Sequence, residues 1–316
     1  MTNKVYGYIR VSTREQNIER QLISLIEAGI DQKSIYIDKQ SGKDFRRPAY
    51  KKMMRKVREG DLIVVKSIDR LGRNYQDIME QWRIITKEKG ADIVMATDPD
   101  ADRLGVYALD TKSGEYVPFT GNMSGMLIAE YILRERRATN TMPENPALVT
   151  TIVTTNMTKP ITEAYNVKLI EVLTGFKYIG EQIKLFEQTG SNSYAFGLEE
   201  SYGCLVGTHA RDKDAVVAVM MLAEVASWCK KNNMTLWDMM IDVYEKYGYY
   251  KETQYSITMK GIDGAKEIAA LMDKFRSNPP KEFGDLKVTQ FRDYANDVVV
   301  NMETNEKGTT GLPKSN

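Results

Sequence analysis

The chain is poor in the side chains that build metal clusters and cross-links. Its 316 residues include two cysteines, Cys204 and Cys229, and one histidine, His209. Two isolated thiols give neither a disulfide framework nor a thiolate zinc site, and a single imidazole excludes a multi-histidine metal centre. No apolar run reaches the roughly 20 residues of a membrane-spanning helix. No basic and apolar leader opens the chain, so a cytoplasmic protein without a membrane partner is expected. Nine prolines and 22 glycines are too few for a collagen-like or low-complexity chain. What remains is 42% apolar and 28% charged, the composition of a globular protein long enough for two or three domains.

The net charge of +1 conceals an asymmetry. Residues 1–90 hold 20 Lys and Arg against 12 Asp and Glu, and the other 226 hold 24 against 31. A basic segment followed by an acidic one implies different partners, with a polyanion suited only to the first.

Hydrophobic periodicity gives an α/β reading. Short apolar strands at Val5–Ile9, Ser34–Ile37 and Leu62–Val65 alternate with helices over Thr13–Ala28 and from Pro48 to about Arg58. A further amphipathic helical face carries Tyr75, Ile78, Met79, Trp82 and Ile85. Strands alternating with helices predict a mostly parallel sheet. Beyond residue 90, strands are expected at Ile93–Ala96, near Gly105–Leu109, at Leu148–Val153 and at Val167–Ile170. Helices are expected at Met123–Arg134, between the last two strands, at Gly175–Glu187 and at Asp214–Lys230. The polar stretch Ala138–Pro146 reads as a linker. From about Lys251 a helix with Ile268, Leu271, Met272 and Phe275 on one face precedes strands near Leu286–Phe291 and Val298–Val300.

Two constellations carry chemistry. In the first, Tyr8-Ile-Arg10-Val-Ser12-Thr13 lies where a strand turns into a helix, and Asp69-Arg70-Leu-Gly72-Arg73 follows another strand. Carboxyl ends of parallel strands converge, which would put a serine hydroxyl beside guanidinium forks that stabilise negative charge at phosphorus without a metal. Ser12-Thr-Arg-Glu15 also fits a capping box, a purely structural use of the same serine. The runs YGYIRVSTREQNIERQ, DKQSGKDFRRPAY and GDLIVVKSIDRLGRN resemble, in order, the catalytic domain of the serine site-specific recombinases, the resolvases and DNA invertases. The resemblance implies DNA as partner, no cofactor, Ser12 as nucleophile, and Arg10, Arg47, Arg70 and Arg73 around the scissile phosphate. Gln16, Gln21, Asp38 and Asp69 match family positions with orienting roles. The family's long dimerisation helix and DNA-binding module are not recognisable, so a stable oligomer is not expected.

In the second, Asp98-Pro-Asp100-Ala-Asp102 places three carboxylates at alternate positions after a strand, a hard-cation arrangement suited to magnesium and a phosphate oxygen. It is not an EF-hand loop, because Arg103 and Leu109 stand where glycine and glutamate would be needed. A solvated aspartate-rich turn is the alternative. The blocks ADIVMATDPDADRLGV, VLTGFKYIGEQIK and FGLEESYGCLVGTHARDKDAVVA resemble the phosphohexomutases, most closely bacterial phosphoglucomutases. That resemblance implies a hexose phosphate as partner, Mg2+ on Asp98, Asp100 and Asp102, and Arg103 beside the transferring phosphate. It implies further that Glu199, Ser201, Thr174 and Gly175 contact the sugar and that His209, Arg211 and Lys213 form a basic stretch near the substrate. The family's phosphoserine loop, of the T-A-S-H-N-P kind, and its R-P-S-G-T-like phosphate clamp are missing from the sequence. Ser12 belongs to a separate site and nothing in the sequence brings it near Asp98.

The expected organisation is therefore a chimera with a junction near Gly90–Val94. Residues 1–92 would be a resolvase-like parallel-sheet domain, 93–117 a remnant of phosphohexomutase domain 2 with the metal loop, 118–250 domain 3, and 251–316 the start of domain 4. The expected function is a recombinase active site joined to the magnesium- and sugar-binding parts of a phosphoglucomutase, incomplete for both. The rivals are a working strand-exchange enzyme with an appended domain, a magnesium and sugar-phosphate binder without turnover, and an unstable product that is degraded.

Overall fold

The computed structural model describes residues 4–11, 18–27, 29–39, 47–58, 61–65, 81, 84–88, 90–98, 100–253 and 257–312. Backbone contacts divide the chain into two units, residues 1–250 and 251–316.

The first unit opens with β1 (Val5–Val11), which pairs in parallel with β2 (Ile35–Lys39) and β3 (Leu62–Val65). Alternation along β1 serves two cores, as expected for a sheet covered on both faces. Tyr6 and Tyr8 pack with Tyr50, Met53 and Met54 of helix α2 (Pro48–Lys56), while Ile9 and Val11 pack with Leu25 of helix α1 (Ile18–Glu27). Pro48 stands in the first turn of α2, where its missing N–H costs nothing. The expected amphipathic helix around Tyr75–Trp82 falls outside the described residues, and a short π-helical turn, Ile84–Glu88, follows it.

β4 (Ile93–Thr97), β5 (Leu104–Asp110) and β6 (Glu115–Phe119) form an antiparallel meander. Among the described residues β3 pairs only with β1 and β4 only with β5, so no strand pairing crosses the junction expected near Gly90–Val94. Packing does cross it. Ile93 and Met95 lie against the large core that follows, whereas Val94 lies against the Tyr6–Tyr8 core, and Tyr116 of β6 donates its hydroxyl to the carbonyls of Thr86 and Ala91. The period of two thus lets one strand serve two cores.

Helix α3 (Gly121–Ala138) is the axis of the remainder and is buried from Gly121 to Leu133 apart from the half-buried Met123. On it pack helices α4 (Thr158–Tyr165), α6 (Ala215–Lys231) and α7 (Leu236–Tyr247), with β5, β6 and β9. β7 (Pro146–Thr151) pairs in parallel with β8 (Lys168–Val172) and β9 (Ser193–Leu198), and β10 (Cys204–Leu205) adds antiparallel to β9. Helix α5 (Phe176–Thr189) covers the other face through Phe176, Ile179 and Ile183. The polar stretch read as a linker, Ala138–Pro146, simply joins α3 to β7 within this unit. β6, β9 and α7 were not expected. Pro118 argues against a strand, but β6 lies at a sheet edge where proline is tolerated.

The second unit holds helix α8 (Gly261–Ser277), the hairpin β11–β12 (Glu282–Phe283, Leu286–Lys287) and a meander of β13 (Gln290–Asp293), β14 (Val298–Asn301) and β15 (Lys307–Gly308). Arg276 of α8 reaches Asp293 at 3.5 Å.

Candidate functional site

At the amino-terminal sheet, Arg10 and Asp38 stand side by side in the β1–β2 register. Asp38 is buried, and its carboxylate accepts from the Tyr8 hydroxyl (3.0 Å) and from the backbone N–H groups of Ala49 (3.0 Å) and Tyr50 (2.9 Å). It therefore fills the acceptor role at the start of α2 that the N-cap residue Arg47 cannot. Arg47 is itself buried, with its guanidinium carbon 5.9 Å from the Tyr50 ring centroid. Burial, and then the Asp38 carboxylate, push the Tyr8 hydroxyl well above the usual tyrosine range. Burial pushes Tyr50 up to about 12 against the opposing charge of Arg47. Gln21 lies half-buried on α1. Ser12, Gln16, Asp69, Arg70 and Arg73 lie outside the described residues. Tyr8 was not singled out from sequence, although the strand period sets it on the face of Arg10.

The acidic turn links β4 to β5. Asp98 folds it by accepting from the backbone N–H groups of Asp102 and Arg103, each at 3.1 Å, and Ala101 sits in the left-handed region at φ 59°. One carboxylate oxygen from each of Asp98, Asp100 and Asp102 can be chosen so that all three lie within 4.8 Å of one another. Lys213 Nζ lies 3.0 Å from Asp102 Oδ2, and Arg103 Nε lies 3.6 Å from Asp102 Oδ1 and 3.9 Å from Asp98 Oδ2. Asp102 Oδ1 is shielded from solvent and accepts no hydrogen bond among the described residues. An acceptor left in that state, beside two other carboxylates, fits a hard divalent cation. Burial raises the pKa of Asp102 against the Lys213 ammonium. Burial acts the same way on Asp98, but the N–H groups of Arg103 and Asp102 outweigh it and hold Asp98 below its ordinary value.

The loop Glu199–Gly203 lies at the carboxyl end of β9, next to the end of β7, the usual site position in a parallel sheet. It is tied on every side. Gly175 N–H donates to Glu199 Oε1 (3.1 Å), Thr151 Oγ1 to Glu200 Oε2 (3.2 Å), and Leu104 N–H to the Tyr202 carbonyl (3.1 Å). A Cβ on Gly121, the first residue of α3, would stand 2.2 Å from the Glu200 carbonyl oxygen, so only glycine permits this approach. Ala215 N–H donates to the Ala101 carbonyl at 3.0 Å and fastens the acidic turn to α6. Lys213 pairs with Asp102, and its charge also acts on Glu199. Burial raises the pKa of Glu199, and Lys213 opposes the rise.

The other expected residues divide. Ser201 is half-buried within the tied loop and Thr174 is exposed beside Gly175. His209 Nε2 lies 3.0 Å from Asp214 Oδ2, while Asp214 Oδ1 caps α6 through Val216 and Val217. Arg211 turns its guanidinium onto Glu187 at 2.7 and 2.6 Å and onto the Thr208 and Ala210 carbonyls, so its charge is engaged within the protein. Thr151, Glu187, Glu200 and Gly121 were not expected. Glu200 sits inside the E-E-S run, but no local pattern points to the other three.

Residues 5–129 match the family model "Resolvase, N terminal domain", and residues 120–247 match "Phosphoglucomutase/phosphomannomutase, alpha/beta/alpha domain III". Two family models thus match successive parts of this chain. The matches overlap over 120–129 and set no single junction between the resolvase-like and mutase-like parts. The phosphoglucomutase of Staphylococcus aureus strain bovine RF122 / ET3-1 is 36% identical over 232 residues, which are 73% of this chain and 41% of that protein. The phosphoglucomutase of strain USA300 is likewise 36% identical, with the same coverage. The chain therefore spans about two fifths of the length of these relatives. Among solved structures, a putative phosphomannomutase from Thermus thermophilus aligns with a TM-score of 0.46 and 16% identity, covering 78% of this chain and 46% of that one. Among the described residues no helix is long and apolar enough to cross a membrane.

Proposed function

We propose that the mutase-like part binds a divalent cation, Mg2+ in the first place, together with a hexose phosphate, and that the chain alone does not interconvert hexose phosphates. The observation that carries this reading is the cluster of three aspartates in the acidic turn, paired through Asp102 with Lys213, beside a loop at the carboxyl end of β9 whose Glu199 is held by the Gly175 N–H. Asp98, Asp100 and Asp102 would hold the cation, which supplies charge neutralisation at a phosphate oxygen. Glu199 and Ser201 are the groups for sugar hydroxyls, a carboxylate and a hydroxyl on a loop fixed at both ends. Arg103, exposed and paired with the turn through its Nε, is the guanidinium proposed for a phosphate, whereas Arg211 is held by Glu187. Turnover is not expected because the sequence lacks the phosphoserine loop, and phosphoryl transfer requires in-line placement within about an ångström. The organisation proposed with this reading is a recombinase catalytic domain at 1–92, a remnant of phosphohexomutase domain 2 at 93–117, domain 3 at 118–250 and the start of domain 4 at 251–316.

Calorimetry with glucose 1,6-bisphosphate in the presence of Mg2+ tests the binding reading. Heat that disappears in Asp100→Ala is the expected result, and no heat at millimolar ligand would sink it. A coupled assay of glucose 1-phosphate to glucose 6-phosphate conversion should stay at background, and magnesium-dependent turnover well above background would refute the incomplete-enzyme statement.

A second reading rests on the amino-terminal sheet. Arg10 beside Asp38, with Arg47 buried at the start of α2, supports a phosphate-handling surface for DNA. Incubation with a nicked recombination site should trap a covalent adduct at Ser12 that Ser12→Ala loses. An adduct that survives this substitution would remove Ser12 from the role.

A further inference from the structure

Lys213 joins the two halves of the mutase-like site. Its side chain is 14% exposed, and its ammonium lies 3.0 Å from Asp102 Oδ2 and 3.4 Å from Asp212 Oδ1. Glu199 acts on it electrostatically as well, and the net effect of these carboxylates is to raise its pKa against burial. Its stem is steered there by the backbone, because a Cβ on Gly203 would stand 2.3 Å from Lys213 Cδ. The slot at Gly203 thus aims a lysine at the acidic turn from within the sugar-binding loop.

We infer that Lys213 and a divalent cation are alternative partners of the Asp102 carboxylate, so that loading the turn releases an ammonium toward Glu199 and the sugar-phosphate pocket. Without a divalent ion, three clustered carboxylates have Arg103 and Lys213 as their neighbouring cations. A doubly charged ion held by these carboxylates would sit a few ångströms from the ammonium, and their mutual repulsion exceeds what one ammonium–carboxylate pair returns. The released ammonium keeps an acceptor in Asp212, and the charge of Glu199 attracts it as well. It then carries positive charge to the place where a hexose phosphate would bring negative charge, so cation and sugar phosphate favour each other's binding through one side chain.

This inference rests on the cation reading of the turn, and the test separates the two. Magnesium chloride is titrated by calorimetry into the full chain, into Lys213→Met and into Gly203→Ala, whose new methyl group displaces the lysine stem. Thermal melting establishes that each variant is folded. Lys213→Met should bind Mg2+ about tenfold more tightly than the natural chain, with Gly203→Ala shifted in the same direction. Equal or weaker binding by Lys213→Met overturns the exchange and leaves the cation site standing. Heat with Lys213→Met alone supports it, and no heat with any chain overturns the cation reading and the exchange together. In the natural chain, acetylation of Lys213 by an amine-reactive ester, followed by mass spectrometry, should speed up at saturating Mg2+. An unchanged or slower rate overturns the release.

Discussion

At Asp38 one buried carboxylate does the work of three local contacts, receiving the Tyr8 hydroxyl and the N–H groups of Ala49 and Tyr50. Asp38→Ala leaves three donors without an acceptor and should cost about 2–3 kcal/mol in urea unfolding followed by circular dichroism. Asp38→Asn keeps an acceptor and should cost distinctly less. Cys204 has a pH signature of its own. Burial, and then the charge of Asp214, push its thiol from 9.0 up to about 12. Below pH 9 the thiol is protonated in both the folded and the unfolded chain. Above pH 9 the unfolded thiol ionises while the buried one does not, so stability declines from about pH 9 to pH 12. The loss from this group should be about 1.4 kcal/mol at pH 10 relative to pH 8. Urea midpoints at the two pH values should therefore fall less steeply in Cys204→Ala than in the natural chain, whatever the cavity costs in absolute terms.

Helix α3 meets the Glu199–Gly203 loop through backbone, and backbone cannot give way. In Gly121→Ala the new methyl would face the Glu200 carbonyl oxygen at 2.2 Å and the Tyr202 nitrogen at 2.5 Å. The substitution should cost about 1–3 kcal/mol and weaken sugar-phosphate binding by moving the loop. Gly125→Ala on the same helix meets Leu198 Cδ1, the movable end of a side chain, and should cost less in a thermal melt. This contrast marks what sequence can disclose. The strands β1, β3 and β4 and the helices α2, α5 and α6 are written in local periodicity, with Pro48, Gly175 and Asp214 at helix starts. The acidic turn is equally local, since three aspartates in five residues have to share a turn. The lysine that answers them, the threonine that holds Glu200 and the glutamate that engages Arg211 come from distant segments. A period of two or of 3.6 carries no information about such meetings. The helix α7 escaped for a related reason: its capping box is built from Thr235 and Asp238 rather than a glutamate, and its apolar face, Leu236, Met239, Met240 and Val243, is short.

The two units differ in what can hold them together. The first contains every buried hydrophobic side chain among the described residues, the last being Val243. The second has none, and Phe283, Leu286, Met272 and Phe275 are exposed at 65%, 73%, 45% and 40%. Its 251–316 segment is also close to the size below which a single core supplies little stability. Its coherence instead rests on hairpin pairing, on Arg276–Asp293 and on the Thr310 contacts to Asp297, interactions that water competes with. Unfolding of the whole chain should therefore not be two-state. In native-state hydrogen exchange, amides of α8 and of β13–β14 should exchange at low urea with a free energy well under that of α3 and β7, whose side chains form the central core. Exchange of both sets at one common free energy would mean that the second unit draws its stability from the first, and the separate-unit account would fail.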